Sequence, residues 1–335
     1  MGAWRARCAE FGELAARLSS EVAGRYVDVW GRSRKIDPQV RRALVKALGR
    51  KRVFPGKVPA GKEKCHLPEK LFAGGRLWGF TVQLYGLRSA RNWGIGDFGD
   101  LKALVETSAA LGAAFVGVNP LHAATGASPY SPSSRHALNV LYIDVTAVPG
   151  YSEDMASHEL RALRDAELVD YEGVRRAKLR VLEILFRKAP SSPAFREFKD
   201  QCTRELRLYS VFEALREKLG GAWQGWPREF RSSTSREVLK FSRKNQRRID
   251  FHLFLQWQAR QQLDAAQRRA RELGMPIGLY VDLALGSDAG GAEVWADRAA
   301  FAPGISIGAP PDEFNPKGQD WGLPPYSPRA LKATA

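Results

Sequence analysis

The chain has 335 residues, 44% of them hydrophobic and 26% charged, with a formal net charge of +16. That balance is ordinary for a globular protein and leaves ample material for the core of one large domain or two smaller ones. No apolar run reaches the roughly 18 residues that a membrane span needs, and Cys8, Cys65 and Cys202 are too far apart to suggest a disulfide framework or a zinc cluster. The N-terminus, "MGAWRARCAEFGELAARL", lacks the apolar stretch of a signal peptide, so a reduced, cytoplasmic protein with no membrane role is expected. The positive charge is densest over residues 32–64 and recurs in "RRAKLRVLEILFRK" (175–188) and "RKNQRR" (243–248), mixed into apparent helices. Such distributed charge reads as solvated helix faces, and no nucleic-acid partner is expected.

In chain order, residues 1–49 read as a small helical segment. "CAEFGELAARLSSEVAG" has apolar residues at three- and four-residue spacing, and "DPQVRRALVKALG" opens on Asp-Pro and closes on Gly49. Residues 50–76, rich in Pro, Gly and Lys, read as a linker, and a different pattern occupies 77–335. "RLWGFTVQLYGL" (76–87) is a strand, Asp97 or Asp100 caps the helix "LKALVETSAALG", and "AAFVGVNPL" is a second buried strand. This βαβ unit implies a parallel sheet covered on both faces. A long loop (121–150) and a mostly helical stretch (about 153–273) follow, the last helix lining up Phe251, Leu255, Ala259, Leu263, Ala266 and Ala270. A third strand is expected over 276–285.

Four stretches carry chemistry. In "GLYVDLALG", Asp282 is a lone carboxylate at the end of an apparently buried strand. It either faces a polar cavity at the strand ends or caps the next loop. The glycines of "GSDAGG" (286–291) lack the Lys-Ser/Thr of a phosphate loop and the spacing of a calcium loop, so a flexible loop is the simpler reading. "ASPYSPSSRHALNVLYID" (127–144) carries Tyr130, Ser131, Ser133, Arg135 and Asn139 on an irregular Ser-Pro loop, a set that suits a sugar or merely a rigid surface loop. "APPDEFNPKGQDWGLPPYSP" (309–328) sets Phe314, Trp321 and Tyr326 among Asn315, Gln319 and Asp320 in an ordered loop without regular structure, suited to carbohydrate or to a lid over the core. Of five histidines only His122, just past a strand end, is placed for a site, and none has metal-ligand spacing.

The runs "WGFTVQLYGLRSARNWGIGDFGDL", "GVNPLHA", "SPYSPSSRHALNVLYIDV", "GLYVDLALG", "GAEVWAD" and "GAPPDEFNPKGQDWGLPP", in this order, resemble the amylomaltases, the 4-α-glucanotransferases of glycoside hydrolase family 77. The resemblance is dense over 76–330. It implies an α/β fold, part of a (β/α)₈ TIM barrel comprising about its first three strands and a long helical insertion. It also implies a transglycosidase without metal or organic cofactor, passing α-1,4-glucan from a maltooligosaccharide donor to glucose or a maltooligosaccharide acceptor. By position it makes Ser128, Tyr130 and Asp282 sugar-binding at the cleavage point, and Phe314, Gln319 and Trp321 acceptor-side residues of a lid. His122 and Asn139 are additional candidates.

Two departures accompany it. The family's β-rich domain is missing from 50–76, and no Arg-Ile-Asp-His run follows Trp321; the one "RID" (248–250) precedes the third strand. The retaining reaction needs two carboxyl groups about 5 Å apart. The resemblance places the nucleophile and acid/base beyond residue 335, so the chain alone is expected to be catalytically incompetent, or to act as a non-catalytic glucan-binding module.

Overall fold

The computed structural model of the chain describes residues 22–48, 75–156, 158–188, 192–302, 304–328 and 330. The expected helix over 8–24 and the expected linker fall almost wholly outside these residues, as do Cys8, Cys65 and His66. The chain divides into two units: one spans Cys65–Ala296, and the other joins the segment up to Lys64 with Asp297–Ala335.

The described part of the second begins with a feature the helical reading did not contain, an antiparallel hairpin of β1 (Arg25–Val27) and β2 (Ser33–Lys35). Asp28 closes it: the carboxylate accepts from the backbone N–H of Trp30 and Arg32 and pairs with Arg34. A short polar side chain that bonds the backbone two and four residues on favours a turn over a helix. Helix α1 (Pro38–Leu48) follows as expected, with Pro at its first position and Asp37 accepting from Gln39 N–H.

In the larger unit, β3 (Gly79–Val82) runs through a polar loop into α2 (Phe98–Ala110), and β4 (Phe115–Val118) pairs with β3 in parallel, Phe80 opposite Val116. The expected cap of α2 is a reciprocal box, in which Asp97 accepts from Gly99 and Asp100 N–H while Asp100 accepts from Asp97 N–H. Beyond β4 the expected loop contains a short antiparallel ladder, β5 (His122–Ala123) against β6 (Ser134–Leu138). The helical stretch comprises α3 (Leu160–Asp165), α4 (Tyr171–Lys188), α5 (Pro193–Gln201), α6 (Arg204–Leu219), α7 (Arg236–Lys244) and α8 (Gln246–Glu272). Along α8, Phe251, Leu255, Ala259, Ala266 and Ala270 are buried, as their spacing predicted, while Leu263 is only half-buried, and the helix packs on α2 and α6. Each such Phe or Leu contributes about 1.5–3 kcal/mol of apolar burial. None of the described helices is long and apolar enough to cross a membrane.

The third strand, β7 (Gly278–Val281), pairs in parallel with β4 on the side away from β3, giving the order β3-β4-β7. It is shorter than expected and is not buried: Tyr280 and Val281 are exposed, as are Leu283 and Leu285 beyond it. Nor is the sheet covered on both faces. Val116 and Val118 are buried on the side where α2 and α8 pack. On the other side Thr81 and Tyr280 stand exposed over Gly117, where an added Cβ would lie 2.9 Å from Thr81 Oγ1. The unit ends in the short helix α9 (Ala292–Ala296).

In the smaller unit, β8 (Ile307–Ala309) and β9 (Gln319–Leu323) form an antiparallel hairpin where a loop without regular structure was expected. Proline and glycine mask the strand signal in "GAPPDEFNPKGQDWGL". Gly308 is required by the pairing itself, since a Cβ there would fall 2.0 Å from the Gln319 carbonyl oxygen. Asp312 organises the turn by accepting from Phe314 and Asn315 N–H, and Asp320 accepts from Ser306 Oγ and Gly322 N–H.

Candidate functional site

Asp282 is the first residue past β7, and its N–H donates to Val118 O at 3.1 Å, which continues the ladder by one bond. The carboxylate is exposed and makes no hydrogen bond or ion pair with any described residue. Two sequence expectations are thereby revised. The charge does not sit in a buried strand, so it carries no desolvation cost, and it does not cap the following loop. What remains is a free carboxylate at the C-terminal end of a parallel strand, where α/β folds place ligands.

The segment after β4 supplies further candidates. Tyr130 is half exposed, and its N–H donates to Ser128 Oγ at 3.3 Å. Ring and hydroxyl therefore come from one Ser-Pro turn, and its local bond holds the Ser128 hydroxyl. Ser133 and Arg135, expected among sugar-bonding groups, are instead committed to the protein. Ser133 Oγ accepts from Ala292 N–H at 3.0 Å, and Arg135 forms an ion pair with Glu293 at 2.6 Å. Asn139 is buried and its side chain accepts from Leu141 N–H, so it acts as a cap.

His122 lies at the start of the β5–β6 ladder, opposite Leu138. Its Nε2 is buried without a hydrogen-bond partner among the described residues. Burial, reinforced by the positive charge of Arg135 and opposed by Glu293, pushes its pKa down, so the ring is neutral at pH 7.

The "GSDAGG" loop is not a free loop. Asp288 N–H donates to Pro132 O at 2.8 Å, and its carboxylate accepts from Gly290 N–H and Thr125 Oγ1. Trp223 Nε1 and Gln224 Nε2 both donate to Ala289 O. Glu293 goes unnoticed in sequence because its partner is 158 residues away. Its carboxylate accepts from Arg135 N–H, from the Arg135 guanidinium and from Ser287 Oγ. Burial raises its pKa, but the bonds from Arg135 and Ser287 outweigh that and hold it at about 2.

A second charged cluster braces the loop between β3 and α2. Arg91 bridges Asp97, Asp100 and Asp144 at 3.0, 2.9 and 2.5 Å. Beside it, Lys178 on α4 is completely buried and donates to Leu141 O and Ile143 O, both at 2.7 Å, with Asp97 at 3.9 Å. This corrects the reading of 175–188 as a uniformly solvated charged face. The signal was available: Lys178 falls on the buried stripe Val174, Val181, Leu182, Leu185. The "RID" stretch at the start of α8 is likewise structural, with Arg248 paired to Glu217 on α6 and Asp250 to Lys199 on α5.

On the smaller unit's hairpin, Phe314 sits in the turn and is 90% exposed. Trp321 is half exposed on β9, its Nε1 donating to Gln319 Oε1 at 3.0 Å. These three side chains offer a ring platform and an amide within one hairpin. No group of three or more His, Cys, Asp or Glu side chains among the described residues is arranged to hold a metal ion.

Comparison with known proteins shows the family. A family model described as 4-alpha-glucanotransferase, glycoside hydrolase 77, matches residues 82–335. The 4-alpha-glucanotransferase of Haemophilus influenzae is 38% identical over 292 residues, covering 77% of this chain and 42% of its own length. That of Mycobacterium tuberculosis is 39% identical over 288 residues, covering 79% of this chain and 40% of its own. Among solved structures, amylomaltase from Corynebacterium glutamicum superimposes with a TM-score of 0.65 at 32% identity, over 79% of this chain and 38% of that one. Amylomaltase from Streptococcus agalactiae, in complex with acarbose, gives 0.66 at 25% identity, over 77% and 55%. The chain thus spans about two fifths of the curated relatives named here.

Proposed function

The chain belongs to the glycoside hydrolase 77 family, and from that premise we propose that it carries the sugar-binding part of a 4-α-glucanotransferase site. The observation that supports this most strongly is that an unengaged carboxylate, Asp282, directly follows β7, while an exposed ring and hydroxyl, Tyr130 and Ser128, lie in the segment that follows β4, its parallel neighbour. A pyranose presents C–H groups on one face and hydroxyls at its rim. Tyr130 suits the face, while the Asp282 carboxylate and Ser128 hydroxyl suit the rim, where a bond to a charged acceptor is worth about 1.5–3 kcal/mol. Phe314, Gln319 and Trp321, taken by themselves on the smaller unit's hairpin, offer similar ring-and-amide chemistry to a sugar. Donor and acceptor are then an α-1,4-glucan and the 4-hydroxyl of glucose or a maltooligosaccharide.

Transfer with retention requires a nucleophilic carboxylate and an acid/base carboxyl about 5 Å apart across the scissile bond. The two carboxylates that follow Asp282 in the larger unit are engaged: Glu293 by Arg135 and Ser287, Asp288 by Thr125 and its own loop. An ion-paired Glu293 held at about 2 is no proton donor at neutral pH. The role proposed for these 335 residues is therefore glucan binding without turnover, within the transferase family rather than as an unrelated binding module. Incubation with maltotriose is expected to release no glucose and build no longer chains, while maltoheptaose titrates a saturable change in Trp fluorescence. Transfer products would overturn the first half of the proposal, and an absence of saturable binding the second.

A further inference from the structure

The loop bearing Ser128 and Tyr130 and the segment following Asp282 are joined by an unusually complete set of bonds. Backbone groups supply three: Asp288 N–H to Pro132 O, Glu293 N–H to Ser133 O, and Ala292 N–H to Ser133 Oγ, at 2.8–3.0 Å. The approach is close enough that a Cβ on Gly291 would lie 2.6 Å from Ser133 Cα. Two of these are backbone to backbone, and the third uses the Ser133 hydroxyl. The carboxylate of Glu293 is different, because it spans the join with a side chain. Oε1 accepts from Arg135 Nη2 at 2.6 Å, and Oε2 accepts from Arg135 N–H at 2.8 Å and Ser287 Oγ at 2.7 Å. Ser287 is itself fully buried and Glu293 is nearly so.

We propose that Glu293 is a positioning residue: through Arg135 and Ser287 it fixes the Ser128–Tyr130 loop against the chain that follows Asp282, so that ring and carboxylate meet one glucose unit in a set geometry. The inference rests on the sugar-binding reading above. Its physical basis is that a carboxylate offers acceptor sites only. A glutamine in its place must turn an NH₂ toward Arg135 or Ser287, which breaks at least one bond and leaves the loop free to shift while the backbone bonds persist. Ser287→Ala removes one bond and spares the ion pair, so it perturbs the same coupling more gently.

The test is a double-mutant cycle read as maltoheptaose affinity on the full chain, comparing wild type, Glu293→Gln, Tyr130→Ala and the double variant. If Glu293 acts through Tyr130, Glu293→Gln weakens binding about tenfold alone but no further once the ring is gone. A merely structural role lowers the melting temperature and leaves the two effects on affinity multiplicative. Multiplicative effects, or an unchanged affinity in Glu293→Gln, overturn the positioning role. Should Glu293→Gln not fold, the same cycle with Ser287→Ala decides, with about a threefold effect expected in place of tenfold. If Tyr130→Ala binds as well as wild type while Asp282→Asn does not, the assignment of the ring fails and the positioning role with it. If neither variant loses affinity, the sugar-binding reading itself fails.

Discussion

The loop between β3 and α2 and the segment after β7 both follow parallel strands, yet they treat carboxylates in opposite ways. In the first, Asp97 and Asp100 are buried and bonded to Arg91, to the helix cap and to each other's backbone, and Lys178 closes the cluster from behind. In the second, Asp282 is exposed with no protein partner among the described residues, although Glu293 eleven positions on is as tightly held as Asp97. The contrast separates two uses of one functional group. A buried carboxylate must be bonded within the chain, and in return it fixes loops. A carboxylate left unbonded at a strand end keeps its acceptor sites open.

That comparison can be strained at its strong side first. Lys178→Met removes the donor to two buried carbonyls and the cation nearest Asp97 on α4, and an unfolding free energy lower by about 3–5 kcal/mol is expected in denaturant titrations. Next comes acid. Glu293 is held at about 2 against an ordinary value of 4.5, so its contribution is present above pH 4.5 and is lost as pH falls toward 2. That share is on the order of 3 kcal/mol, and Glu293→Gln should show a correspondingly flatter stability profile between pH 4.5 and 2. At the weak side, Leu283→Ser with Leu285→Ser should change folding stability by only about 0.5 kcal/mol, since both side chains are already exposed. Light scattering should nonetheless show less self-association than wild type, because an uncovered apolar strip beside a sheet edge is removed.

Local chemistry is what the sequence displayed well. The cap at Asp97, the stop of α2 before Gly112, the buried stripe of α8 and the parallel pairing of β3 with β4 all follow from short-range spacing. The hairpins were hidden, because Asp28 and Gly308 specify turns and pairings that proline, glycine and charge do not advertise as strands. The open face of the sheet was hidden for another reason: apolar runs such as "GLYVDLALG" read the same whether or not anything covers them. Of the site, Asp282 and Tyr130 stood out as chemistry out of place. Glu293 and Lys178 did not, since each is defined by a partner far away in the chain, and only Lys178's position on an apolar stripe betrayed its burial.

The comparison of the two carboxylate settings rests finally on Asp282, and a single titration bears on it. Asp282→Asn, titrated with maltoheptaose at pH 7 beside wild type, should lose about tenfold or more in affinity, with its melting temperature unchanged because no protein bond is removed. Affinity equal to that of wild type would contradict the assignment of this free carboxylate to the sugar.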